Sequence, residues 1–151
     1  NVFIETHAQT DYLLTYPDEN TSTTAQEEEF LERTEKSSNE IEIAAVVDGK
    51  IVGSAGIESL GSKYKIRHRA EFGISILKDY WGLGIGSALT DACIACARKA
   101  GYTQLELNVV AENTSAIALY ERKGFVEFGR NPKGFYSKNG YQELVYMLLE
   151  L

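Results

Sequence analysis

Residues 70–93 read "AEFGISILKDYWGLGIGSALTDAC", and the way this stretch divides decides the fold. Its first eight residues alternate, sending Phe72, Ile74 and Ile76 to one face and Glu71, Gly73 and Ser75 to the other, which is the period of a strand. Past the glycines, Leu89, Cys93, Cys96 and Ala100 recur at helical spacing, and Gly101 is a fitting stop. Between strand and helix, Gly82, Gly84 and Gly86 stand on alternate positions. Glycine here costs order, so it must admit something that a side chain would block. An anionic ligand held on bare amides at a helix start is the candidate.

Working outward, "EIEIAAVV" and "KIVGSAGIESL" flank Asp48-Gly49, a strong hairpin signal. Before them, "STTAQEEEFLERTEKSSN" predicts a helix with Thr23 or Thr24 as cap, acids in its first turn, an apolar contact at Phe30 and Leu31, and a Ser/Asn exit. "NVFIETHAQTDYLLTYPDEN" is weakly patterned and mixes a short helix with a loop near Pro17. Downstream, "TQLELNVV" predicts a strand and "NTSAIALYERKG" a short helix, capped by Asn113 or Thr114 and closed at Gly124. "FVEFGR" and "YQELVYMLLEL" are closing strands, the second preceded by an Asn139-Gly140 turn. An early hairpin followed by strand–helix–strand crossovers implies an α/β fold, with a mixed, mostly antiparallel central sheet flanked by helices.

The 151 residues form one domain, residues 1–151, with 44% hydrophobic and 25% charged side chains. No apolar run approaches a membrane span and no signal peptide is visible, so a cytoplasmic protein is expected. The net charge of −7, with acids clustered at Glu27, Glu28 and Glu29, disfavours nucleic acid as a partner. Cys93 and Cys96 form a CxxC, but both fall in mid-helix among alanines, and His7 and His68 are isolated. The pair is therefore read as small buried residues, and no metal site is expected.

Three readings of the glycine loop compete before any family is considered. A dinucleotide turn fails on spacing, because Ser87 and Leu89 stand where the third glycine or alanine of GxGxxG/A belongs. A Walker loop fails because no Gly-Lys-Ser/Thr follows. A tight strand-to-helix turn with no ligand stays open on the loop alone.

Two elements in register narrow the choice. "LKDYWGLGIGSAL" and, downstream, "NVVAENTSAIALYERKGF" together resemble the GCN5-related N-acetyltransferase family. The family pattern Gln/Arg-x-x-Gly-x-Gly/Ala places its last two positions on Gly84 and Gly86, and its first on Trp81, a departure. The second element is carried by Asn113, Ala116, Leu119, Tyr120, Gly124 and Phe125. The resemblance covers residues 40 to 150 and implies that the family's first strand and most of its first helix are missing from the N-terminus.

That resemblance implies the family's acyl-CoA N-acyltransferase fold, acetyl-CoA as cofactor, and transfer of an acetyl group to a primary amine of a small molecule or peptide. The alternative it leaves is a non-catalytic acyl-CoA sensor. Backbone amides of Trp81, Gly82, Leu83, Gly84, Ile85, Gly86 and Ser87 would face the pyrophosphate, helped by the helix dipole. Ile76 and Leu77 would meet the pantetheine arm, where the strands part after Ile76 and after "LELNVV", and Asn113 would touch the cofactor. Tyr120 is the expected acid for the departing sulfur, and Glu71 the expected base or ammonium anchor. Tyr12 and Tyr16 would line the acceptor pocket. Arg67, His68 and Arg69 could recognise a carboxylate or phosphate on the substrate. The closing strand is expected at an edge, free to pair with a second copy in a homodimer.

Overall fold

The computed structural model describes residues 2–13, 15–19 and 21–151, with Phe3 described by its backbone alone. Asn1, Leu14 and Asn20, which belong to the weakly patterned N-terminal stretch, lie outside the described residues. Two helices come first, α1 (Val2–Gln9) and α2 (Thr24–Lys36). Thr23 caps α2 through a capping box: its hydroxyl accepts from the Gln26 N–H, and the Gln26 side chain accepts from the Thr23 N–H. The expected contact at Leu31 does not form, since Leu31 is exposed and Thr34 is the buried residue of α2.

Strands β1 (Ile41–Val47) and β2 (Lys50–Ser59) meet in a hairpin, with Asp48 and Gly49 both at positive φ. This is the mirror-image turn that Asp-Gly favours, because its twist matches that of the strands. Strand β3 (Arg69–Ile76) then leads through a 3₁₀ turn at Lys78–Tyr80 into α3 (Ile85–Lys99). Strand β4 (Gln104–Val110), α4 (Thr114–Arg122), β5 (Val126–Ser137) and β6 (Gly140–Glu150) complete the order. Both α3 and α4 end in the same way, the residue after the glycine donating back into the helix: Tyr102 N–H to Ala97 and Phe125 N–H to Tyr120.

The sheet runs β1-β2-β3-β4-β6-β5, with only β3 and β4 parallel. Two expectations are corrected here. β6 is an inner strand, paired with β4 from Leu144 to Glu150 and with β5 along most of its length, from Gly140 to Leu148, so β5 and β1 form the edges. The last hairpin turns at Lys138 and Asn139, because Gly140 already pairs with Ser137 as the first residue of β6.

The core lies between the sheet and α3 and α4. Ala55 and Ile57, Ala70 and Phe72, Leu105 and Leu107, Val145 and Met147 point from four strands onto Leu89, Cys93, Ala97, Tyr120 and Phe125. Burial pushes the Cys93 thiol up to about 12, so it stays protonated and inert at neutral pH. Cys96 is only half-buried, as α3 turns Ala97 and Ile94 inward instead. Among the described residues no cluster of His, Cys, Asp and Glu side chains could hold a metal, and no helix is long and apolar enough to cross a membrane.

Candidate active site

The site grows from a shortage of partners along β3. One side of β3 pairs with β2 from Ser59↔Ala70 to Gly53↔Ile76. Its other side pairs with β4 over three residues only, Arg69↔Gln104, Ala70↔Leu105 and Glu71↔Glu106. β4 continues instead along β6 as far as Val110↔Leu144. The two parallel strands therefore part after Glu71 and Glu106, five residues earlier on β3 than expected. Leu77 donates its N–H to Val52 and accepts from Tyr80, so both its backbone groups are engaged and it offers none to a ligand. Alternation turns the backbone of Ile76 the other way, toward the gap.

The loop after β3 is braced at both ends. The Trp81 indole N–H donates to the Ile76 carbonyl at 2.8 Å, and the Gln9 side chain of α1 accepts from the Lys78 N–H at 2.7 Å. Gly82 (φ +74) and Gly84 (φ +84) are left-handed, and a Cβ on either would meet open space. The glycines are thus required by the turn itself, while the space beyond is free for a ligand. Gly84 is the N-cap of α3 and no side chain caps that end. The first helical bond is Ala88 N–H to Gly84 C=O, so the amides of Ile85, Gly86 and Ser87 have no partner within the helix. A Cβ on Gly86 would sit at ordinary contact distance from Ile76 and Leu119, between β3 and α4.

Across the gap, Asn113 caps α4, its Oδ1 accepting from Ala116 N–H. Two turns along, Tyr120 is 7% exposed and stands edge-on to Phe72 with centroids 6.0 Å apart; Phe125 closes the other side at 5.9 Å. Burial pushes its phenol up to about 12. Glu71 lies on the opposite face of the sheet from Phe72 and accepts from Asn108 Nδ2 at 3.1 Å. Its carboxyl is raised above the usual range, first by partial burial, then by Glu58 and Glu106, the residues directly across on β2 and β4. Arg69 holds Glu106 in a bidentate pair at 2.5 and 2.9 Å.

Tyr16 lines a cavity of about 70 Å³ with Leu13, Phe135 and Tyr136, between the α1–α2 loop and the β5–β6 hairpin. The Tyr16 hydroxyl accepts from the Lys138 N–H at 2.6 Å. Tyr12 is half-buried and does not line this cavity; its N–H donates to Thr10. Sequence reading missed Asn108, Gln9 and Glu58. Alternation in "LELNVV" carried a signal for Asn108, placing it on one face with Glu106, but nothing local marks Gln9.

The GNAT acetyltransferase family model matches residues 4–125. The chain belongs to the GNAT family. The match reaches well back of residue 40, so α1 and α2 are part of the family domain as well. The GNAT cofactor is acetyl-CoA. A putative ribosomal N-acetyltransferase of Bacillus subtilis is 34% identical over 116 residues, 74% of this chain and 60% of that relative. The matched stretches span between 21% and 65% of the lengths of the first curated relatives. A GNAT acetyltransferase structure from Streptococcus pneumoniae superposes with a TM-score of 0.92 at 29% identity, covering 99% of this chain and 92% of that one. A putative acetyltransferase of Salmonella typhimurium, solved with its cofactor acetyl-CoA, shares the fold with a TM-score of 0.87 at 19% identity, over 99% of this chain and 84% of that one.

Proposed function

We propose that this chain is an acetyl-CoA-dependent N-acetyltransferase that moves an acetyl group directly to a primary amine of a small molecule or peptide. The observation that carries the reading is the uncapped start of α3, reached through two left-handed glycines at the mouth of a gap between parallel strands. The amides from Leu83 to Ser87 suit a diphosphate, because open space faces the glycines and the helix dipole favours negative charge there. Ile76 turns its N–H to the gap and would offer it to the pantetheine arm, its carbonyl being held by the Trp81 indole.

Acetyl-CoA supplies an activated acyl carbonyl and a sulfur leaving group when bound. Glu71 takes a proton from the substrate ammonium, and its raised carboxyl is a stronger base than a solvated one. With the cofactor bound, the freed amine would form the N–C bond as the C–S bond breaks, and Tyr120 would give its phenolic proton to the departing sulfur, leaving a neutral thiol. The second proton shed by the acylated nitrogen would restore the phenol. A phenol near 12 is fully protonated at neutral pH, and the apolar setting that weakens it as an acid makes a thiolate there a stronger base. Asn113 turns its amide to the cofactor while capping α4, and Tyr16 shapes the acceptor pocket.

Calorimetric titration with acetyl-CoA tests the cradle, and thiol release across a panel of amines and peptides tests the transfer. Binding without thiol release for any amine would instead make the chain an acyl-CoA sensor. No binding at high micromolar acetyl-CoA would sink both.

A further inference from the structure

Carboxylates on three neighbouring strands compete for one guanidinium where the gap opens. The pairs Glu58↔Glu71, Arg69↔Gln104 and Glu71↔Glu106 put all of these side chains on one face of β2, β3 and β4. Asn108, two residues past Glu106, joins that face by alternation, beyond the point where β3 and β4 part.

Arg69 and Glu71 stand two residues apart on this face, about 7 Å along β3, within reach of an arginine side chain. The guanidinium nevertheless goes to Glu106, its Nε donating to Oε1 at 2.5 Å and a terminal nitrogen to Oε2 at 2.9 Å. Gln104 adds its amide to the same carboxylate, Nε2 donating to Oε1 at 2.7 Å. Glu71 takes one neutral donor instead, Asn108 Nδ2 on Oε1 at 3.1 Å, and its Oε2 accepts from none of the described residues. A carboxylate gripped by a guanidinium is a poor base, because the ion pair stabilises its charged form. A carboxylate with no donor at all is free to turn away. Glu71 is held without being neutralised.

Resting on the transferase reading, we infer that Glu106 and Asn108 are positioning residues for Glu71: Glu106 keeps Arg69 off the base, and the Asn108 amide fixes the carboxylate so that Oε2 is left for the substrate ammonium. The remaining charges near Glu71 do not replace Arg69 as a partner. Glu58 faces it from β2 and is flanked in turn by Glu42 of β1. Helix α1, which packs on β2 and β3, brings Glu5 and His7.

The test reads the titration midpoint of the Glu71 carboxyl carbon by carbon-13 NMR in the free protein, beside thiol release with the fastest amine of the panel above. Glu106→Gln releases Arg69 to Glu71, so the midpoint should fall and thiol release at pH 7 should drop about tenfold. Arg69→Gln leaves an unpaired Glu106 beside Glu71, so the midpoint should rise. The double variant lacks both charges, so the midpoint should return to that of the parent and most of the rate with it, a rescue that a damaged fold could not show. Asn108→Leu keeps the volume and removes the donor, so the midpoint should rise and thiol release should fall about tenfold. An unmoved midpoint in Glu106→Gln, a double variant as slow as Glu106→Gln, or parental midpoint and rate in Asn108→Leu overturns the inference. Failure of the parent to release thiol with any amine sinks the transferase reading, and the midpoints alone then decide whether Glu106 and Asn108 govern the Glu71 carboxyl.

Discussion

Replacing Gly84 and Gly86 by alanine, one at a time, separates what the turn requires from what the ligand requires. Gly84 holds φ +84, ψ −2 as the N-cap of α3. A methyl there meets nothing within 4 Å, so the cost is conformational and not steric. Left-handed backbone costs an L-residue roughly 1–2 kcal/mol. In a domain of this size each kcal/mol shifts Tm by about 2–4 °C, so Gly84→Ala should melt about 2–8 °C lower. Gly86 is different: it sits in the first turn of α3, and its Cβ would lie 3.4 Å from Ile76 and 3.5 Å from Leu119, ordinary contact distances. Helical alanine is better than glycine by about 0.5–1 kcal/mol, so Gly86→Ala should keep or slightly raise Tm. Both methyls would hold phosphate oxygens away from the amides, so both variants should bind acetyl-CoA at least tenfold more weakly. Calorimetry scanning reads Tm and titration calorimetry reads affinity. A Gly84→Ala variant with unchanged Tm would refute the left-handed argument. A stable Gly86→Ala variant with parental acetyl-CoA affinity would refute the close-approach argument.

Tyr120→Phe should lower thiol release about 100-fold or more with acetyl-CoA affinity retained, measured side by side. Its phenol, raised by burial from near 10 to about 12, favours the neutral form in the folded chain. The associated stability, up to roughly 2–3 kcal/mol, is present below pH 10 and lost as pH rises toward 12; urea midpoints for parent and Tyr120→Phe should therefore diverge only in that window. Glu71 follows the same sign, but at neutral pH its cost is already present. Its carboxyl is raised by burial, Glu58 and Glu106, so its ionised form is unfavourable in the fold above that raised value. Glu71→Gln should increase the urea midpoint at pH 7, lose the advantage as pH falls through the carboxyl's titration, and depress thiol release; a lower midpoint at pH 7 would contradict the crowding. Trp81→Phe removes the indole bond to the Ile76 carbonyl, worth about 0.5–1.5 kcal/mol, and should weaken acetyl-CoA binding two- to tenfold in the same titration.

What could be read from sequence was what local chemistry fixes. Asp48-Gly49 turned where expected because positive φ at both residues is a property of that pair. Thr23 and Asn113 capped their helices because a cap is satisfied within three residues. The long-range choices were not legible. Placing β6 at an edge was the natural reading of a terminal strand, yet β4 parts from β3 and needs a partner along its length, and β6 supplies it. The parting point after Glu71 follows from that competition and not from any residue near Ile76. Leu77 was misjudged in the same way, since its amide belongs to Val52 across the hairpin. Trp81 could be seen to depart from the family pattern, but its partner, a carbonyl five residues back, exists only once the loop has closed.

The placement of the proposed acid and base explains why the sheet is split at all. Tyr120 stands against Phe72 on the core face of β3, whereas Glu71, its neighbour in sequence, belongs to the opposite face. In an unbroken sheet two such groups would be separated by a hydrogen-bonded backbone layer, and no single reacting centre could touch both. Three paired residues followed by a parting let a ligand stand in for the missing strand contacts, with one face of the gap apolar and phenolic and the other acidic and open. That division would suit the proposed chemistry: the departing sulfur would lie where desolvation makes it a strong base, and an ammonium would lose its proton where carboxylates stabilise its approach. It also accounts for the cost the chain carries at Glu58↔Glu71, like charges directly across two strands, which destabilise a sheet unless a cation comes between them. On this argument Glu58→Gln would stabilise the free protein and weaken acceptor binding together.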